Sequence, residues 1–174
     1  KKQFGHACDK ISIEECLIGE EVSVFAVCDG ENYKILGDAQ DHKRIFDGDK
    51  GPNTGGMGAY SPTKICTQEL LNSIENDIIK PTLKGMRVLG HPYIGFLYVG
   101  LMIIDNTPFV IEFNVRMGDP ETQVIIPRID IKSSLYDIFE NCLRGSIDRV
   151  NIDFIDKTCV TVVLASEGYP GKHT

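Results

Sequence analysis

"FLYVGLMIIDNTPFVIEFNVRMGDPET", residues 96–122, decides how the rest of the chain is read. Residues 96–104 are a nearly continuous apolar run, the pattern of a strand buried on both faces. Asp105-Asn106 supplies a turn, and "FVIEFN" (109–114) returns as a second strand. Alternate residues of a strand share a face, so Val110, Glu112 and Asn114 are expected on one side and Ile111 and Phe113 on the other. A carboxylate and an amide oxygen two residues apart are hard ligands that suit Mg²⁺, which takes one or two carboxylates and completes its shell with phosphate oxygens and water. Arg116 follows as the chain leaves the sheet, where its planar fork could hold a phosphoryl or carboxylate group. The same residues also read as a polar strand end with a surface ion pair, and so short a pattern leaves both open. Asp119-Pro120 reads as a helix N-cap followed by proline at the first helical position.

Working outward, residues 11–18 and 21–28 read as strands joined by a short turn at Gly19. In the second, Val22, Val24 and Ala26 alternate with Ser23, Phe25 and Val27, as in a sheet with two buried faces. Asp29-Gly30 is a hairpin signal, and "NYKILG" is its returning strand. Leu71, Ile74, Ile78, Ile79, Leu83 and Met86 recur at helical spacing over 67–89, with Pro81 expected to kink or divide the helix. Residues 134–143 form a second helix with Leu135, Ile138, Phe139 and Cys142 on one face, and 158–165 make a final strand. Hairpins interspersed with helices predict an α+β fold, mostly an antiparallel sheet with packed helices.

Two further stretches carry chemistry. "IEECLIGEEVS" (13–23) places adjacent glutamates on opposite faces of a strand, so at least one is expected toward an interior or cleft. It reads either as a solvated edge or as a hinge whose backbone pairs with an adenine edge while a later glutamate accepts from two ribose hydroxyls. "DHKRIFDGDKGPNTGGMGAYSP" (41–62) holds five glycines, two prolines and a dense run of charge. A loop so long and so poor in apolar residues is either functional or mobile surface. No Walker motif occurs, and "TGGMG" fails G-x-G-x-x-G. Glycines nonetheless let backbone amides approach anions, and Asp41, Lys43 and Arg44 add charge of both signs.

Composition sets the outer limits. The 174 residues carry a formal charge of −7, which argues against nonspecific nucleic-acid binding. Six cysteines without a C-x-x-C pair, most of them in apolar runs, suit buried free thiols in a reducing compartment. No apolar run approaches membrane-spanning length, so the cytoplasm is the expected location and no membrane partner is expected.

Taken together, "FGHACDKISIEECLIGEEVS", "DHKRIFDGDKGPNTGGMGAYSP", "GFLYVGLMI", "VIEFNVRMGDPETQ" and "ASEGYPG" closely resemble the phosphoribosylamine–glycine ligases of the ATP-grasp superfamily. The resemblance implies ATP-dependent ligation of glycine to 5-phosphoribosylamine through glycyl phosphate, in purine biosynthesis. It implies Mg²⁺ or Mn²⁺ on Glu112 and Asn114, adenine against the hinge at Glu14, Glu15, Cys16 and Leu17, and ribose on Glu21. Arg116 is then expected near the transferring phosphoryl group, Asp41 at glycine and Lys43 at phosphate. The glycine-rich loop, with Gly55, Gly56 and Gly58, matches the family's active-site flap. Residues 1–18 would be the end of the small ATP-grasp lobe and hinge, 19–150 the large lobe, and 151–174 a linker and opening strand of a further domain. Both ends look cut, and this piece alone is expected to be inactive. Two alternatives are another ATP-grasp carboxylate–amine ligase and a non-catalytic nucleotide-binding module; oligomeric state is left open.

Overall fold

The computed structural model describes residues 5–171. In chain order the strands are β1 (Glu20–Asp29), β2 (Tyr33–Asp41), β3 (Arg44–Phe46), β4 (Lys50–Asn53), β5 (Gly58–Ser61), β6 (Ile94–Ile104), β7 (Thr107–Asn114) and β8 (Cys159–Val162). Six of them make one sheet in the order β7-β6-β1-β2-β5-β8, antiparallel at every junction, and β3 and β4 form a separate hairpin. The expected mostly antiparallel α+β fold is what the chain adopts.

β1 lies between β6 and β2 and from Val22 onward is buried on both sides, as its mostly apolar run requires. Val22, Val24, Ala26 and Cys28 face one core with Leu70, Ile74, Ile79 and Leu83 from the long helix. Phe25 and Val27 face a second core with Tyr98, Val124, Ile125 and Ile138. Complete burial of side chains such as Val24 and Phe25 contributes about 1.5–3 kcal/mol each.

The helix expected over 67–89 is continuous, from α1 (Gln68–Ser73) through a π-helical turn at Ile74–Ile79 into α2 (Lys80–Val88). Thr67 caps it, its hydroxyl accepting from the Leu70 N–H at 3.2 Å. Pro81 neither divides nor ends it. The wider turn just before the proline, with the Lys80 N–H reaching back to the Glu75 carbonyl, fits a ring that supplies no N–H of its own. α3 (Thr122–Ile125) and α4 (Leu135–Leu143) cover the opposite face of the sheet. Ser134 caps α4 through the Asp137 N–H, at the expected boundary.

Four expectations are corrected. Residues 11–18 are not a strand: the segment has no ladder partner among the described residues, and Ile11, Ile13 and Ile18 are exposed. Without a neighbouring strand, apolar alternation has nothing to pair with. Neither Glu14 nor Glu15 turns inward, and Cys16 is exposed. The helix after Asp119-Pro120 begins only at Thr122, because residues 119 and 120 belong to a turn closed by the Thr122 N–H on the Gly118 carbonyl. The stretch 41–62 is not structureless, since the β3–β4 hairpin and β5 fall inside it. Cys28, Cys66, Cys142 and Cys159 are free and at least half-buried, as expected; the Cys8 side chain lies outside the described residues. No helix is long and apolar enough to cross a membrane among the described residues.

Candidate active site

Register builds the site. Ser23 of β1 stands opposite Gly100 of β6, and Gly100 opposite Glu112 of β7. Tyr98 is likewise opposite both Phe25 and Asn114, so these side chains rise on one face of the sheet. Half of that face is sealed by α3 and α4 over Phe25 and Val27. The other half carries the polar residues.

Glu112 and Asn114 meet as the strand spacing requires, the Asn114 amide donating to Glu112 Oε1 at 3.0 Å. A β-bulge interrupts the alternation at Ile111, which has no partner between Gly100↔Glu112 and Leu101↔Val110. Ile111 therefore lines the same small recess as Glu112, contrary to the expectation that it points away. The recess is floored by Ser23, Tyr98 and Gly100, and Lys43 and Glu21 reach into it. Gly100 keeps it open, because a Cβ there would press on Glu112 Cγ at 3.1 Å and Tyr98 Cε1 at 3.2 Å.

Lys43 Nζ pairs with Glu21 Oε2 at 2.6 Å. Burial works to lower its pKa, but the Glu21 hydrogen bond and the nearby carboxylates of Asp41, Glu21 and Glu112 hold it above the ordinary lysine value, so Lys43 stays cationic. Burial raises the Asp41 carboxyl above its usual range; Lys43 opposes the shift and Glu21 adds to it. Glu21, Asp41, Lys43 and Gly58 also line a cleft of about 820 Å³ that runs beneath the β3–β4 hairpin toward β8.

The remaining expected residues lie around this centre. Arg116 is exposed and its guanidinium donates to the Met117 carbonyl at 2.9 Å, not to a cleft side chain. Glu14, Glu15, Cys16 and Leu17 belong to the irregular segment that leads into β1, and only Leu17 is partly buried. Gly19, which follows, passes so close over β6 that a Cβ would overlap the Ile103 carbonyl. Gly56 adopts φ 122° with its α-carbon turned onto Pro120, and Thr54 Oγ1 binds both the Gly56 N–H and the Lys43 carbonyl. The Gly55 N–H donates to Tyr169 Oη at 3.3 Å. This part of the loop is therefore braced from three sides.

Sequence reasoning passed over Glu121, Tyr98 and Ser23. All three are buried polar side chains at the border between the second core and the cleft. Ser23 Oγ donates to Tyr98 Oη at 2.7 Å, and burial together with the nearby Glu121 carboxyl pushes the Tyr98 phenol above its ordinary value. The available signals were a lone phenol two residues before Gly100 in an apolar strand, and an acidic residue just ahead of the apolar "VII" of α3.

The donor set fits a magnesium ion. Among the described residues no group of three or more His, Cys, Asp or Glu side chains is arranged to enclose a metal alone. One carboxylate at the recess with one amide beside it, the carboxylate exposed and the amide only partly buried, matches a cation that draws its remaining ligands from phosphates and water. A half-turn of the Asn114 amide presents its oxygen in place of the donating nitrogen.

The family model described as phosphoribosylglycinamide synthetase, ATP-grasp (A) domain, matches residues 1–122. A phosphoribosylamine–glycine ligase of Chlorobaculum tepidum is 50% identical over 96% of this chain and 39% of its own length. The chain thus spans about 40% of the length of such relatives. The crystal structure of a Thermotoga maritima phosphoribosylamine–glycine ligase superposes with a TM-score of 0.80 at 40% identity, over 92% of this chain and 40% of that one. A biotin carboxylase domain of Hydrogenobacter thermophilus 2-oxoglutarate carboxylase, solved with MgADP and bicarbonate, shares the fold at TM-score 0.54 and 14% identity, over 81% of this chain and 28% of that one.

Proposed function

Because this chain belongs to the phosphoribosylglycinamide synthetase ATP-grasp family, we propose that it forms the large nucleotide-binding lobe of an enzyme that ligates glycine to 5-phosphoribosylamine at the expense of ATP. The observation that carries the reading is the single sheet face on which Glu21, Lys43, Asp41, Glu112 and Asn114 converge. In the first step the glycine carboxylate attacks the γ-phosphorus, ADP departs, and glycyl phosphate forms. In the second the amine nitrogen attacks the acyl carbon, inorganic phosphate leaves with the bonding pair, and the nitrogen gives up a proton. Both steps demand positioning and charge neutralisation more than covalent help from the protein.

Glu112 and Asn114 would hold Mg²⁺ or Mn²⁺ against the phosphates, where the ion supplies charge neutralisation at the transferring group. Lys43, fixed as a cation, would bind a phosphate oxygen, and Arg116 would swing from the Met117 carbonyl to the acyl phosphate. Asp41 would receive the glycine ammonium. The segment Glu14–Leu17 would offer backbone groups to adenine, and Glu21 would take the ribose hydroxyls. Gly55, Gly56 and Gly58 would wall the site against water, which hydrolyses acyl phosphates. The β3–β4 hairpin, exposed and braced by few contacts, is the part suited to move.

The test is a phosphate-release assay on the complete enzyme with ATP, glycine and 5-phosphoribosylamine, run beside the 174-residue chain. Release that depends on glycine and on the amine supports the reading. Equal release with other acids and amines would favour another ATP-grasp ligase, and nucleotide binding without turnover a non-catalytic module.

A further inference from the structure

We propose that Gln40 is a positioning residue of the nucleotide site: its side-chain amide bridges the fork where β2 parts from β1, and so sets where Glu21 stands against Lys43. The inference rests on the ligase reading above, which gives Glu21 to the ribose hydroxyls and Lys43 to a phosphate oxygen.

The fork follows from register. The β1–β2 ladder runs from Cys28↔Tyr33 to Ser23↔Ala39, and β2 then pairs with β5 through Gln40↔Tyr60 and Asp41↔Ala59. β1 continues along β6, with Glu21 opposite Met102. The parting strands open the cleft, whose wall includes Glu21, Gln40, Lys43 and Tyr60. Past the end of the ladder the Gln40 side chain spans the gap. Its Nε2 donates to the Glu21 carbonyl at 2.9 Å, and its Oε1 accepts from the Tyr60 hydroxyl at 2.7 Å. A carbonyl only accepts, so the amide has one orientation here, and Tyr60 is the donor on the far branch.

Both members of the ion pair are thereby held through their backbones. Gln40 grips Glu21, while the Thr54 N–H and hydroxyl both donate to the Lys43 carbonyl, at 2.7 and 2.8 Å. Glu21 Oε2 and Lys43 Nζ then meet at 2.6 Å. Long charged side chains lose rotamer freedom when they bind, and a backbone already fixed beneath them reduces what the nucleotide has to order.

A purely structural role does not account for this bridge. Glu21, Gln40 and Tyr60 are only half-buried, so water can replace either hydrogen bond at little cost to folding. What the amide adds is direction, since it donates to one branch of the fork and accepts from the other at once.

The experiment uses the complete enzyme and the variants Gln40→Ala, Gln40→Glu and Glu21→Ala, with each Gln40 change also made in the Glu21→Ala background. ATP affinity is read by calorimetry, beside kcat and thermal stability. Gln40→Ala is expected to weaken ATP binding about 10-fold, with kcat at saturating ATP changed less and melting within a few degrees of the parent. Gln40→Glu keeps the size and the Tyr60 contact but sets an acceptor against the Glu21 carbonyl, and should lose as much. In the Glu21→Ala background there is no carboxylate left to place, so Gln40→Ala should cost less than about twofold. Should Gln40→Ala not fold, Gln40→Glu in the two backgrounds makes the same comparison. Unchanged ATP affinity, losses that follow melting temperature alone, or an equal loss in both backgrounds overturns the proposal while leaving the ligase reading intact. A parent enzyme without ATP binding or glycine-dependent turnover overturns both.

Discussion

Lys43 Nζ lies 2.6 Å from Glu21 Oε2, so the lysine assigned to phosphate and the glutamate assigned to ribose hold each other across the cleft. Both are roughly half-exposed, and such a pair contributes little to folding. Its consequence is for binding. On the proposed reading nucleotide would compete for both groups, and the two carboxylates beyond, Asp41 and Glu112, keep the lysine charged.

Lys43→Met is accordingly expected to leave the melting temperature within about one or two degrees of the parent while lowering turnover about 100-fold or more, the usual effect of removing a charge from a transferring group. Steady-state kinetics and a thermal scan on the same preparation make the comparison. A fall in stability with normal turnover would return Lys43 to a structural role.

Glu112→Gln should weaken Mg²⁺-dependent nucleotide binding and turnover more than Asn114→Ala, because Glu112 is the only carboxylate of the pair. Titration calorimetry with ATP at several Mg²⁺ concentrations separates the two. Metal dependence identical to the parent in both variants would sink the assignment.

The loop glycines should part company on substitution by alanine. Gly56→Ala forces a Cβ onto Pro120 at φ 122°, and Gly58→Ala brings one to 2.6 Å from the Thr161 carbonyl. Both are expected to cost about 1–3 kcal/mol of stability. Gly55→Ala meets nothing closer than Tyr169 Oη at 3.7 Å and should be tolerated. Urea unfolding of the three variants is the check, and equal stabilities would mean that the loop is less firmly braced than its contacts indicate.

Asp29 should make stability depend on acid. Burial works to raise its pKa, yet the backbone N–H groups of Asn32, Glu31 and Ile147 hold it below the ordinary aspartate value of 3.8. Its stabilising share is therefore present above that value and disappears as pH falls through the lower folded value. Asp29→Asn sets an amide against three donors and should cost about 1–3 kcal/mol at pH 7. The gap from the parent should narrow below about pH 3.8, as the parent's carboxylate also becomes neutral. A gap that stays constant into acid would refute the charge-based account.

How far the sequence reaches is clearest at β1. Its mostly apolar run and Asp29-Gly30 suffice for a central strand, buried on both faces and turning back as a hairpin. Glu112 and Asn114 were legible for a similar reason, since a spacing of two places neighbours of a strand on one face. These are local properties of backbone geometry. Residues 11–18 misled because a strand needs a partner as well as a pattern, and the glycine-rich stretch misled because composition does not reveal that Pro120 and β8 brace it. Ile111 shares the recess with Glu112 through a bulge that only pairing with β6 could produce. Tyr98 and Ser23 are separated by 75 positions along the chain, and nothing local marks them as partners. The antiparallel register of β1 and β6 brings them together. The sequence by itself determined which faces are apolar and where the chain turns; the tertiary structure decided which distant polar groups share a wall.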